Sequence, residues 1–281
     1  MRRAARFPGV ADRDLAEYER TTFTHDGKAR TVFRTGSGPA VVVIAEMPGI
    51  TPKVIEVADR IAAIGCTAVL PHLFGVPGRD PLARGRLAGA AYALSSLVPT
   101  CVSREFTVFA TGRTSPVVSW LRALAAHEHE RCGGPGVGAV GMCFTGGFAL
   151  AMATDPRMLA PVLSQPSLPA GITRRTKGTI DISPSELDVV KGRCAAEGLR
   201  VLGLRFTGDR LVPAARFEFL ARELGDAFVA IELDDEDANP DAVLPPHSVL
   251  TEHLVDEPDQ PTRDALDRVL DLFRTKLLPA T

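Results

Sequence analysis

An α/β protein with a mostly parallel central sheet between two layers of helices is the fold predicted by this 281-residue sequence. Three observations predict it. Residues 40–45, AVVVIA, form an unbroken apolar run rich in β-branched residues, as in a strand buried on both faces. After Pro52, Val54, Val57, Ala58 and Ile61 recur at helical spacing, and CTAVL at 66–70 then reads as a second buried strand closed by Pro71. That β-α-β unit places its strands parallel, and the same alternation recurs towards the C-terminus.

The later elements follow in order. A helix over 115–128 carries Val118, Leu121, Leu124 and Ala125 on one face, and VGAVG at 137–141 is a strand that leads into a helix from about 144. PVLS at 161–164 is the next strand, followed by a polar insertion from about 169 to 183. A helix over 184–197 is entered through Pro184 with Ser183 as N-cap. LRVLGLRF at 199–206 is a strand, a helix begins at Pro213, and AFVAIEL at 227–233 is the last strand. The last helix starts at Thr262, a reasonable cap, with Leu266, Val269, Leu270, Phe273 and Leu277 on one face. Residues 71–113, rich in Gly, Pro and Arg, resist assignment; whether they form a helix pair or a loop over the site stays open. No linker interrupts the pattern, so a single domain is expected over 1–281, with 1–28 an N-terminal extension.

Composition narrows the function. A 45% hydrophobic share excludes a disordered chain, and 32 basic against 34 acidic residues leave no field to hold nucleic acid. No apolar run approaches the roughly 18 residues of a membrane helix, and the basic-then-acidic N-terminus lacks the apolar core of a secretory signal. A cytoplasmic location is the expectation. The cysteines, Cys66, Cys101, Cys132, Cys143 and Cys194, are dispersed without a C-x-x-C pair, which argues against disulfides and structural zinc. His127 and His129 lie two apart at a helix end and face different ways, so they read as a solvated terminus. The acidic run 234–241 has no EF-hand spacing and reads as an exposed loop. With no G-x-G-x-x-G after the first strand and no P-loop lysine, neither cofactor nor metal is expected. Nothing in the sequence sets the oligomeric state.

The sharpest chemical signal is GAVGMCFTGGFALAM at 138–152. A small-residue strand, Cys143, two glycines and an apolar helix are the context of a nucleophile elbow, with Cys in place of the commoner Ser. A helix N-terminus facing such a thiol stabilises its thiolate. Asp209 follows a strand in FTGDRLVP, and His247 lies in PPHSVL after the next strand. The order Cys143, Asp209, His247 is nucleophile, acid, base, in which the histidine takes the thiol proton and the acid fixes its tautomer. Taken singly, each residue also fits a structural part: a buried cysteine, a turn aspartate, a surface histidine. His253 competes with His247 as the base.

These residues carry a resemblance. From about residue 40 to 277 the chain resembles the dienelactone hydrolase family, cysteine-dependent members of the α/β-hydrolase fold. It does so through VVVIAEMPGI (41–50), VGMCFTGG (140–147), FTGDRLVP (206–213) and HSV (247–249). The resemblance implies a three-layer α/β-hydrolase fold, a Cys143–His247–Asp209 triad, and Glu46 as the carboxylate that pairs with the resting cysteine. A glutamate directly after an apolar strand is costly to bury without a partner, which also favours a role for it. The resemblance further implies an oxyanion hole from the backbone N–H groups of Met47 and Phe144, each such donor typically being worth roughly 3 kcal/mol.

The implied reaction is hydrolysis of a small-molecule carboxylic ester or lactone through a thioester. The departures are Thr145 where the family has glycine, expected to crowd the elbow with Gly146 supplying the slack, and Pro48 where an aromatic is usual. Thr251 stands where an arginine clamps the substrate carboxylate. Arg79, Arg84, Arg86, Arg104 and Arg113 are candidates to replace that clamp. Two rivals are a non-catalytic binder on the same fold and a thiol acyltransferase.

Overall fold

In a computed structural model that describes residues 15–83, 85, 89, 91, 92, 95, 106, 113–168 and 178–279, eight strands form one sheet. They are β1 (Glu19–His25), β2 (Lys28–Gly36), β3 (Ala40–Ile44), β4 (Thr67–Pro71), β5 (Val137–Met142), β6 (Met158–Ser164), β7 (Val201–Phe206) and β8 (Phe228–Leu233). Their spatial order is β1-β2-β4-β3-β5-β6-β7-β8. β1 to β2 and β2 to β4 are antiparallel, and every other pairing is parallel.

The described helices are α1 (Pro52–Ala63), α2 (Val117–Cys132), α3 (Gly146–Met152), α4 (Pro184–Glu197), α5 (Ala214–Leu224) and α6 (Pro261–Leu277). Strand alternation sorts the sheet side chains into two cores. Val42, Ile44 and Ala139 pack with Leu121 of α2, Phe148 of α3, Val190 of α4 and Phe217 of α5. Val41, Val43 and Val140 pack with Ile55 and Ile61 of α1 and Leu266 and Phe273 of α6. Burying β3 along its whole length is why its sequence is an unbroken apolar run. The result is the three-layer arrangement expected from the sequence. No helix among the described residues is long and apolar enough to cross a membrane.

Side-chain caps mark the starts of α1 and α4. Ser183 caps α4 by accepting from the Glu186 N–H at 3.3 Å, and Thr51 caps α1 by accepting from Val54 N–H at 3.4 Å. Thr262 does not cap α6: the N-cap is Gln260, Pro261 opens the helix, and the Thr262 hydroxyl accepts from Val255 N–H at 3.0 Å. The residues read as an N-terminal extension contribute an edge strand. β1 joins β2 through Asp26 and Gly27, both at positive φ (47° and 71°), which is the chemistry of a two-residue hairpin turn. Most of 84–112, with Arg84, Arg86, Cys101 and Arg104, and residues 169–177 of the polar insertion lie outside the described residues.

Candidate active site

Parallel pairing brings the carboxyl ends of the central strands to one edge, where open α/β sheets bind ligands. Ile44 pairs with Gly141, Met142 with Ser164, Ser164 with Leu204 and Phe206 with Leu233. The segments leaving β3, β5, β6, β7 and β8 therefore emerge side by side. These segments carry Glu46, Cys143, Ser167, Asp209 and His247 respectively.

Cys143 is the first residue past β5 and adopts φ 56°, a left-handed conformation that is costly for any residue with a Cβ. It opens a 3-10 turn, Cys143–Thr145, from which α3 continues. Thr145 does not crowd this elbow. Its fully buried hydroxyl accepts from Met142 N–H at 2.8 Å and lies 2.9 Å from the Ile44 carbonyl, so it fastens the turn to β3. The slack sits at Cys143 itself, since Gly146 has an ordinary helical φ of −56°. The missing Cβ of Gly146 serves another purpose: a methyl there would stand 2.7 Å from Pro166 Cβ.

Asp209 and His247 meet as the chain order suggested. Asp209 Oδ2 is 2.6 Å from His247 Nδ1, and its Oδ1 accepts from Leu211 N–H at 2.8 Å. The carboxylate thus holds the Nδ1–H tautomer and leaves Nε2 facing the site. Nε2 is buried on the side of Cys143. Burial alone would lower the His247 pKa, but the nearby charge of Cys143 and the hydrogen bonds to Asp209 and Cys143 outweigh it and push it up to about 11. Beside an ionised Cys143 the imidazolium is the favoured form.

His253 is not placed to act as base. Its Nδ1 accepts from the N–H groups of Ser248 (3.1 Å) and His247 (3.4 Å), and its Nε2–H donates to the Leu244 carbonyl at 3.0 Å. It is a fully bonded neutral histidine that shapes the loop bearing His247. Burial pushes its pKa down, aided by the charge of His247 and opposed by the Leu244 carbonyl.

Glu46 is buried, and its partners among the described residues are three donors. Oε2 accepts from Gln165 Nε2 at 2.9 Å and from the Ser248 hydroxyl at 2.7 Å, and Oε1 accepts from the Thr251 hydroxyl. None is Cys143. The carboxylate clasps the loop after β6 to the loop that carries His247, and Thr251, in the place of the expected arginine, completes the clasp. Glu252 is half-buried beside it; burial and the charge of Glu46 raise its carboxyl to about 7.

Met47 sits in the tight turn closed by Gly49 N–H to the Glu46 carbonyl at 2.7 Å, and neither Met47 N–H nor Phe144 N–H has a protein acceptor among the described residues. The Phe144 ring packs against Phe74 (5.4 Å), Phe148 (5.7 Å) and Phe106 (6.1 Å), which lines the elbow with aromatic surface. Of the candidate clamp arginines, Arg79 stacks over the Tyr92 ring at 4.1 Å and Arg113 is exposed. His127 stacks on Phe23 (5.2 Å), and neighbouring Glu128 pairs with Arg34.

Sequence reasoning missed Gln165, Ser167 and Arg216. Gln165 adopts φ 35° directly after β6, and Arg216 is fully buried, with the charge of Asp209 acting on it. The available signal was the string QPS directly after a buried strand, at the sheet edge where Cys143 also emerges.

Comparison with known proteins bears on the fold and the family. A provisionally named dienelactone hydrolase from Klebsiella pneumoniae is 18% identical over 91% of this chain and 97% of its own, with a TM-score of 0.58. A dienelactone hydrolase from Anabaena variabilis is 14% identical over 92% of this chain and 98% of its own (TM-score 0.56). A cold-adapted esterase from an Arctic intertidal metagenomic library is 15% identical over 92% and 94% (TM-score 0.55). At such identities the likeness establishes the α/β-hydrolase fold alone. No curated protein matches the chain significantly. A family model described as the dienelactone hydrolase family matches residues 28–200, more than half of the sequence and the part that contains the elbow, and the chain therefore belongs to that family of ester hydrolases.

Proposed function

We propose that the chain is a single-domain, cysteine-dependent hydrolase of small carboxylic esters or lactones that needs no cofactor. The observation that carries this reading is the pairing of a left-handed Cys143 at the elbow with a His247 held by Asp209 at 2.6 Å. In the first half-reaction the Cys143 thiolate attacks the ester carbonyl, and the Met47 and Phe144 N–H groups receive the developing oxyanion. His247 gives its Nε2 proton to the departing alkoxide, leaving a thioester on Cys143. In the second half-reaction neutral His247 takes a proton from water as it attacks the thioester; the acid leaves and the Cys143–His247 pair is restored.

The surroundings favour a neutral substrate with an apolar acyl group. Thr251 spends its hydroxyl on Glu46 and offers no cation, and aromatic rings flank Phe144. A panel of short activated esters and small lactones, with and without a free carboxylate, tests the reading on wild type and Cys143→Ala. Wild type should hydrolyse neutral members preferentially, and the variant should lose at least about 10³-fold in kcat, as expected on removal of a nucleophile. Equal turnover by the two proteins would reject Cys143 as nucleophile.

A further inference from the structure

Cys143 has a second polar neighbour that the triad does not use. Ser167, three residues beyond β6, places its Oγ 3.0 Å from Cys143 Sγ, and its N–H donates to the Cys143 carbonyl at 3.0 Å. The strand register explains the meeting: Met142 pairs with Ser164, so the chains that leave β5 and β6 run next to each other.

This serine is held on several sides. The fully buried Arg216 donates through Nη1 to the carbonyls of Pro166 (2.9 Å) and Leu211 (2.8 Å), and through Nε to that of Thr179 (2.8 Å). One guanidinium thereby ties the Ser167 loop to the loop that carries Asp209. The close approach of Pro166 to Gly146 presses the Ser167 loop onto the elbow. Ser167 itself is only 6% exposed, so its hydroxyl is fixed against the sulfur with little access to water.

Hydrogen-bond direction follows from acidity. A serine hydroxyl keeps its proton under conditions where a thiol can lose its own, so with the sulfur ionised the only proton between these two atoms is on Oγ. Among the described residues, the charged groups near the sulfur are His247, with Asp209 behind it, and Arg216. His247 faces the sulfur as its charged partner, and Glu46 is occupied by Gln165, Ser248 and Thr251.

We propose that Ser167 is a positioning residue for the nucleophile, its hydroxyl donating to the Cys143 sulfur and holding the thiolate between turnovers, in the place that the family resemblance gives to Glu46. The proposal rests on Cys143 being the nucleophile. Its test is the rate of Cys143 alkylation by iodoacetamide as a function of pH, followed by mass spectrometry on the peptide that contains Cys143. Cys66 and Cys194 interfere little, because burial pushes their thiols up, Cys66 to about 11.

In Ser167→Ala the alkylation midpoint should rise by on the order of one pH unit, the effect of losing one hydrogen bond to a charged acceptor. Its kcat should fall roughly tenfold with KM little changed, and Ser167→Thr, which keeps a hydroxyl, should stay close to wild type. A serine with a merely structural part would lower the folded fraction without moving the midpoint. An unmoved midpoint in folded Ser167→Ala, or in Ser167→Gly should the alanine variant not fold, overturns the proposal. Hydrolysis by Cys143→Ala separates the two readings. Retained activity there rejects the nucleophile, whereas a dead Cys143→Ala with an unmoved Ser167→Ala midpoint rejects only the part given to Ser167.

Discussion

Asp209 is the residue whose contribution can be isolated most cleanly. Its Oδ2 holds His247 Nδ1 while its Oδ1 only accepts a turn N–H from Leu211, so Asp209→Asn keeps the shape and removes the charge. The variant should fold normally by circular dichroism and lose roughly 10²–10⁴-fold in kcat, because the amide can stabilise the wrong imidazole tautomer and no longer balances the imidazolium. A wild-type rate would remove Asp209 from the mechanism. Some single residues were legible because their chemistry is local. A glycine-flanked cysteine after a buried strand already announces an elbow. Ser167 was not legible, since 24 residues separate it from Cys143 and only the pairing of β5 with β6 joins them. Thr145 was misjudged for a related reason: its β-branch looked obstructive until β3 supplied a carbonyl for its hydroxyl.

Elements carry these residues, and the loop after β8 has its own sensor. His253 Nδ1 must stay unprotonated to accept from Ser248 and His247, and its pKa in the folded protein lies below the usual value near 6.5. A depressed histidine makes the unfolded chain the better proton binder. Its stabilising effect is therefore fully present above about pH 6.5 and is lost as pH falls towards the native value, at up to about 1.4 kcal/mol per pH unit. Urea unfolding between pH 8 and 5 should show His253→Gln losing less stability on acidification than wild type, because a glutamine carbonyl can accept without titrating. Parallel stability curves would reject this part for His253. The buried parallel strands and their helices were legible because continuous burial writes continuous apolar sequence, as in β3. β1 and β2 escaped because their outer ends alternate exposed and half-buried residues, many of them charged or polar. The Asp26-Gly27 turn was the overlooked sign.

At the scale of the whole molecule, that hairpin is the antiparallel end of the sheet, and it must be pinned to the parallel body. The pin is buried charge. Arg34 on β2 meets Glu128 on α2 as a forked pair, Nε to Oε2 at 2.8 Å with a second contact from Nη2 to Oε1, and the two side chains are 4% and 0% exposed. Trp120 of the same helix donates its Nε1–H to the Lys28 carbonyl at 2.9 Å and packs edge-on against Phe23 of β1. Burial opposes the charged form of Arg34, and the hydrogen bond and charge of Glu128 overcome it, so the guanidinium pKa stays raised. Removing one partner strands the other charge without water. Glu128→Gln should therefore cost about 3–5 kcal/mol in urea unfolding, while the double replacement Arg34→Met with Glu128→Leu should cost far less than the single change. Because the pair lies outside the catalytic edge, the folded fraction of Glu128→Gln should hydrolyse its substrate at the wild-type rate. A single-variant loss below about 1 kcal/mol, in the range of exposed pairs, would show that aromatic packing alone holds the hairpin to the sheet.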